Sequence, residues 1–220
     1  RTPSTNSDLC AEATPTYTNK FGYYDSSYHL QADLPNASAA IGLGTDGTYI
    51  YALSGANNLA SYKFNGTSWL PLATDSGPPA GTSINSGALY IPGQVPSQNA
   101  FWVIPTSGNL IYKYSISGDS WTSKDIGSGK LKYGGSAAYS TTDNNIYLFG
   151  FGVPEGSSNE IYKFDPTTEN LTILPVKIPT AILHAGAISI DNEIWLLDGF
   201  SGTNNNCMGT PIKFFQIFNV

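Results

Sequence analysis

Few residues in this chain have the types and spacing to do chemistry. It has two histidines, His29 and His184, two cysteines, and 16 carboxylates set against 10 lysines and arginines. No GxSxG elbow, HExxH helix, Walker loop or dinucleotide fingerprint occurs, so no catalytic motif, metal or cofactor is implied. A nucleophilic triad or zinc centre usually draws on histidine, and only His29 and His184 are available. His184 stands just before the small-residue stretch Ala185-Gly186-Ala187-Ile188. Its place leaves a structural role and ligand contact both open. His29 ends the connecting segment Tyr23-Tyr24-Asp25-Ser26-Ser27-Tyr28-His29 and is expected at the surface. Asp46, Asp143 and Asp191 each precede Gly or Asn and read as turn formers. Acid/base pairing between carboxylates from distant segments stays open, so an enzyme remains an alternative reading.

Binding chemistry is better represented. Aromatic residues outside the repeated pattern described below, Tyr23, Tyr24, Tyr28, Tyr90, Tyr133, Phe151 and Phe200, fall in or near connecting segments. A flat ring there can stack on a sugar or anchor a protein partner. Asn57, Asn58, Asn204, Asn205 and Asn206 offer amides that bond hydroxyls. Together they describe a neutral carbohydrate site, and the candidate ligand contacts are His184, Tyr133, Asn57, Asn58, Phe151, Phe200 and Asn205. Solvated turns are the plainer reading of the same asparagines.

Composition narrows the partners. The net charge is −6 and charged residues make up only 12 %, which argues against nucleic acid and anionic membranes, both of which need a cationic patch. No apolar run approaches the roughly 18–20 residues that span a bilayer as a helix. The expected partner is a glycan, a small neutral ligand or another protein. Three sequons, at Asn36, Asn65 and Asn170, and an opening at Arg1 with no Met read as a processed, secreted glycoprotein. Cys10 and Cys207 fit one disulfide, with two buried free thiols as the alternative.

The elements that must position these residues show in a repeat. Tyr62-Lys63-Phe64 recurs as Tyr112-Lys113-Tyr114, as Tyr162-Lys163-Phe164 and, more weakly, as Ile212-Lys213-Phe214, each 50 residues from the last. Apolar runs precede them at Tyr49–Leu53, Phe101–Ile104, Ile146–Phe149 and Ile194–Leu197. Small-residue stretches come earlier still: Ser38–Ile41, Ser86–Leu89, Ser136–Tyr139 and Ala185–Ile188. A turn and then Trp69, Trp121 or Leu171 follow. Each unit therefore predicts four short strands: small, continuously apolar, half-wet, and outermost. Trp69, Trp121, Trp102 and Trp195 occupy repeated strand positions and are expected to pack.

This unit resembles the kelch repeat in its length, in the small-residue strand, in the "IYLFG" and "DGF" strand endings, and in the "IYKFDPTT" turn. The resemblance implies an all-β, four-bladed β-propeller forming a single domain over 1–220, with blades near 34–75, 83–127, 133–176 and 183–220. Residues 13–21 are expected to supply the last blade's missing strand and close the ring, pinned by Cys10–Cys207. The expected function is a secreted protein that binds glycans through loops on one propeller face. A secreted protein-interaction module, effector-like or allergen-like, and an enzyme with a central-channel site are the alternatives.

Overall fold

The computed structural model describes residues 18–56, 60–80, 82–128, 130, 134–151, 158–201, 210–211 and 215–220. The chain is all-β, and four antiparallel sheets form the blades of a four-bladed β-propeller. Two compact units share them. One is built from Thr16–Pro105 and Leu110–Asp125; the other includes Thr106–Asn109 and Ile126–Val220.

The first unit opens on a two-stranded hairpin, β1 (Gly22–Tyr24) and β2 (Tyr28–Leu30). Its first blade is a meander of β3 (Gly42–Thr45), β4 (Ile50–Leu53), β5 (Tyr62–Phe64) and β6 (Trp69–Pro71). Its second is β7 (Ile84–Ile91), β8 (Ala100–Pro105), β9 (Leu110–Ser115) and β10 (Ser120–Asp125). In the other unit the third blade is β11 (Ser136–Ser140), β12 (Asn145–Phe149), β13 (Ser158–Asp165) and β14 (Asn170–Ile182). Its fourth blade is β15 (Gly186–Ile190) and β16 (Glu193–Leu197) followed by β19 (Phe215–Asn219), with a short hairpin of β17 (Phe200–Ser201) and β18 (Thr210–Pro211) between them in the chain.

Two of the apolar second strands are buried on both faces, as expected: every residue of β8 and β12 is inside, whereas β16 alternates buried Ile194 and Leu196 with half-buried Glu193, Trp195 and Leu197. Alternate residues feed the cores. Tyr51, Leu53, Phe101 and Val103 join one cluster, with Tyr114 and Trp121. Tyr147, Phe149, Ile194 and Leu196 join the other, with Ile178 and Ile182. Small residues on the first strands have a steric cause. Strand β3 meets β7, and β11 meets β15. A Cβ on Gly44 would lie 2.6 Å from the Ala88 carbonyl oxygen, so that crossing admits only hydrogen there.

The repeat is exact at the level of cross-strand pairs. Phe64 faces Trp69, Tyr114 faces Trp121, and Phe164 faces Leu171. Trp121 donates from Nε1 to the Ala73 carbonyl at 2.8 Å, and Asp119 accepts the Ala73 amide at 3.1 Å. The second blade thus grips both backbone groups of one residue just beyond the first blade's outer strand. Trp69 makes the parallel bond to the Ala32 carbonyl at 3.0 Å.

Three boundaries differ from the sequence reading. Ser38–Ile41 precedes the first strand of its blade, because Ser38 is engaged in a bridge to Thr18 and β3 begins at Gly42. The third strand of the last blade is β19, which pairs Phe218 with Ile194 as Phe164 pairs with Ile146. The true fourth copy of Tyr-Lys-Phe is therefore Gln216-Ile217-Phe218, shifted because only the cross-strand register decides equivalence; 212–214 lie outside the described residues. Of the expected closing strand, 13–17 also lie outside them. Residues 18–21 sit against the first blade instead: Thr18 bridges Ser38, and Phe21 packs edge-on against Phe64 and Trp69 at 5.2 and 5.0 Å.

Candidate functional site

The most exposed aromatic cluster among the described residues is the β1–β2 hairpin. Its register opposes Tyr24 to Tyr28 and Tyr23 to His29. Period-2 alternation puts Tyr24 and Tyr28 on one face, Tyr23 and His29 on the other. Tyr24 is 74 % exposed, Tyr28 61 % and Tyr23 51 %. Gly22 makes the first face possible: a Cβ there would lie 2.7 Å from the Tyr28 Oη, so the phenol lies across bare backbone. On the other face the Tyr23 and His29 rings stack at 4.8 Å and 15°.

The connecting turn holds itself. Asp25 Oδ1 accepts the amides of Ser26 and, at 3.0 Å, Ser27. Those two amides and His29 hold the Asp25 carboxyl below its ordinary range. Ser27 Oγ and Asp25 Oδ1 both reach His29 Nε2, at 2.9 and 3.1 Å. A Ser-His-Asp relay needs the two ring nitrogens to serve different partners. Here both partners use one nitrogen, so the cluster is a structural clasp. The hairpin is tied down by Gln31 N to Phe21 O at 2.9 Å and Leu34 N to Asn19 O at 2.7 Å.

The expected ligand contacts fare differently. His184 and Phe200 do come together, with rings edge to face at 6.5 Å, and both are exposed. Leu183 and Phe200 exchange backbone bonds of 2.8 Å, which fixes that neighbourhood. His184 has φ +55°, a left-handed conformation that His tolerates better than most, and its amide donates to the Gly134 carbonyl at 2.6 Å. Phe151 is a correction: it is 1 % exposed, with its ring against Gly135, and no ligand in solvent reaches it. Tyr133, Asn57, Asn58, Asn205, Cys10 and Cys207 lie outside the described residues. Asn36, Asn65 and Asn170 are all exposed, and Asn65 Oδ1 accepts the amides of Thr67 and Ser68 at 2.9 Å each.

Buried aromatic donors claim the turn carboxylates. Asp46 Oδ1 accepts the amides of Thr48 and Tyr49 at 2.8 Å each, the expected turn role, while its Oδ2 takes the Tyr51 hydroxyl at 3.0 Å. Asp143 Oδ2 takes the Tyr147 hydroxyl and Lys163 Nζ, both at 2.8 Å, and Asn145 Nδ2 at 2.9 Å. Burial pushes the Asp143 carboxyl up, but bonds from Lys163, Tyr147 and Asn145 outweigh it and hold it low. Burial first, and Asp46 second, raise the Tyr51 phenol far above its ordinary range. Burial and then Glu160 push Tyr162 up to about 12. These phenols stay protonated donors and supply no base near neutrality.

The repeated lysines pair across strands with the inner aromatics: Lys63 with Tyr51, Lys113 with Trp102, and Lys163 with Tyr147. Their ammonium groups lie over rings at 5.2 Å (Tyr49), 5.6 Å (Trp102) and 5.8 Å (Tyr147). Sequence reasoning recognised the tyrosines of 23–28 but not their hairpin. The signal was present in the alternation Gly22-Tyr23-Tyr24 and Tyr28-His29-Leu30 about an Asp-Ser-Ser turn.

No family model matches the chain, and no curated protein matches it. Among solved structures it is similar to one titled "Structure of YjhT", with a TM-score of 0.54 and 15 % identity over 77 % of this chain. The chain spans 60 % of the length of that structure. The likeness is one of fold.

Proposed function

We propose that this is a secreted, kelch-like propeller that binds a neutral glycan through exposed aromatic residues, with the tyrosine hairpin as the principal contact. The observation that carries the reading is the exposure of Tyr24 and Tyr28, opposed in register on a hairpin whose turn is internally bonded. A sugar ring needs a flat apolar platform beside hydroxyls and carbonyls, and Ser26 and the phenol groups supply polar neighbours. Exposed His184 and Phe200 offer a further aromatic contact on the other unit. Low charge, the accessible sequons and the paired cysteine count support an extracellular address.

A protein partner is the second reading, favoured by Leu30, which is 63 % exposed on the same hairpin face as Tyr24 and Tyr28. A glycan array on the intact protein and on a Tyr24→Ala/Tyr28→Ala variant decides between them. Selective binding that the variant loses supports the glycan reading. A blank array, or binding that survives the double substitution, overturns it.

A further inference from the structure

The second blade carries a cleft of about 280 Å³ lined by Ser97, Gln98, Lys113, Ser115, Ser120 and Thr122. That volume lies near the lower end of small-molecule sites, which run from roughly 300 Å³ upward. Strand pairing explains why these side chains converge. Lys113 and Ser115 are two apart on β9, while Ser115 faces Ser120 and Lys113 faces Thr122 on β10. Residues so related share one face of a sheet.

The internal repeat supplies a comparison. In the third blade the carboxylate four residues before the inner aromatic Tyr147 is Asp143, and it neutralises Lys163 at 2.8 Å. In the first blade the residue four before Tyr51 is Gly47, and Lys63 instead helps to hold Asp119 of the second blade low, which is chiefly the work of the Tyr114 hydroxyl. In the second blade the residue four before Trp102 is Gln98. A neutral amide stands where the third blade places the counter-ion. Gln98 Oε1 already accepts the Gln94 amide at 3.0 Å, which leaves its NH2 group as a donor. No carboxylate among the described residues lies within ion-pair distance of Lys113. The cleft is therefore lined by one ammonium, an amide donor and several hydroxyls, in a protein of net charge −6.

We infer that this cleft is a binding site for a small ligand bearing an oxyanion (carboxylate, sulfate or phosphate), which takes the place that Asp143 fills in the third blade. Lys113 pairs with the anion, and Gln98 and the hydroxyls of Ser115, Ser120 and Thr122 orient it. The inference is independent of the tyrosine hairpin, which shares none of these residues.

The test is calorimetric titration of the full-length protein with sulfate, phosphate, acetate and glucuronate at constant ionic strength. It is repeated on Gln98→Asp, which restores the internal counter-ion, on Lys113→Gln, and on Lys63→Gln. Saturable binding of at least one anion is expected, weakened about 10-fold or more by the first two substitutions, the loss of one charge-assisted bond, and unchanged in Lys63→Gln. Preference for sulfate and phosphate over the carboxylates, or the reverse, identifies the oxyanion. Melting curves establish that each variant is folded, and Gln98→Asp and Lys113→Gln back each other up. Absence of saturable binding for all four anions overturns the inference. Binding that both cleft variants retain at full strength does so as well.

Discussion

Asp143 is the residue whose removal tests the internal electrostatics most directly. It is 27 % exposed and its Oδ2 receives three donors, one of them the hydroxyl of Tyr147, whose ring is 3 % exposed. In Asp143→Ala that hydroxyl loses its acceptor, at about 1–3 kcal/mol for a buried polar group left unsatisfied. The ion pair with Lys163 is about one-third exposed on both sides and adds only ~0.5–1 kcal/mol. The expected loss is about 2–4 kcal/mol. Asp143→Asn keeps an acceptor oxygen and removes only the charge, so its expected loss is smaller, about 1–2 kcal/mol. The folded carboxyl is held below its ordinary 3.8, so its contribution is full above that pH and is lost as the pH falls through the folded value. Lys163 is shifted the other way, chiefly by its bond to Asp143, so its share is full below 10.5 and is lost as the pH rises through its folded value. Urea unfolding of wild type, Asp143→Ala and Asp143→Asn across the pH range measures the difference directly. It should be flat near neutrality and shrink at both ends. A difference that stays constant through the acid limb would refute the charge argument, and equal losses in the two variants would refute the hydrogen-bond argument.

Trp121→Phe removes the Nε1 bond to the Ala73 carbonyl and part of a core indole, and should cost about 2–3 kcal/mol in urea unfolding. Gly44→Ala places a methyl group 2.6 Å from the Ala88 carbonyl and 2.8 Å from the Phe101 ring, and should lower stability by more than about 1 kcal/mol, read as a drop in thermal midpoint. Non-reducing peptide mapping should yield a Cys10–Cys207 linked pair; two alkylatable thiols would remove the proposed staple.

Much of the architecture was legible in the chain because each blade is a local object. The 50-residue spacing of the lysines, the continuous apolar runs and the small-residue stretches are all one-dimensional marks of strands whose partners lie next to them in sequence. Burial of β8 and β12 on both faces follows from residue types alone. The fourth unit was misread for the same reason. Spacing selects Lys213, whereas hydrogen-bonded register selects Ile217, and spacing cannot see an insertion ahead of the strand. Phe151 read as a loop aromatic because no local signal says that Gly135 leaves room for its ring.

Sequence by itself determined the all-β class, the repeat, the turn residues and the sparsely charged, net acidic composition, since these depend on composition and on neighbours within one blade. Only the tertiary structure decided which side chains meet. Asp143 with Lys163 and Tyr24 with Tyr28 are turn-to-strand and cross-strand encounters, and Gln98 and Lys113 are brought to one cleft, all set by register and pleat. A one-residue slip sends every side chain of a strand to the opposite face, so residue types can nominate a site, but register must assemble it.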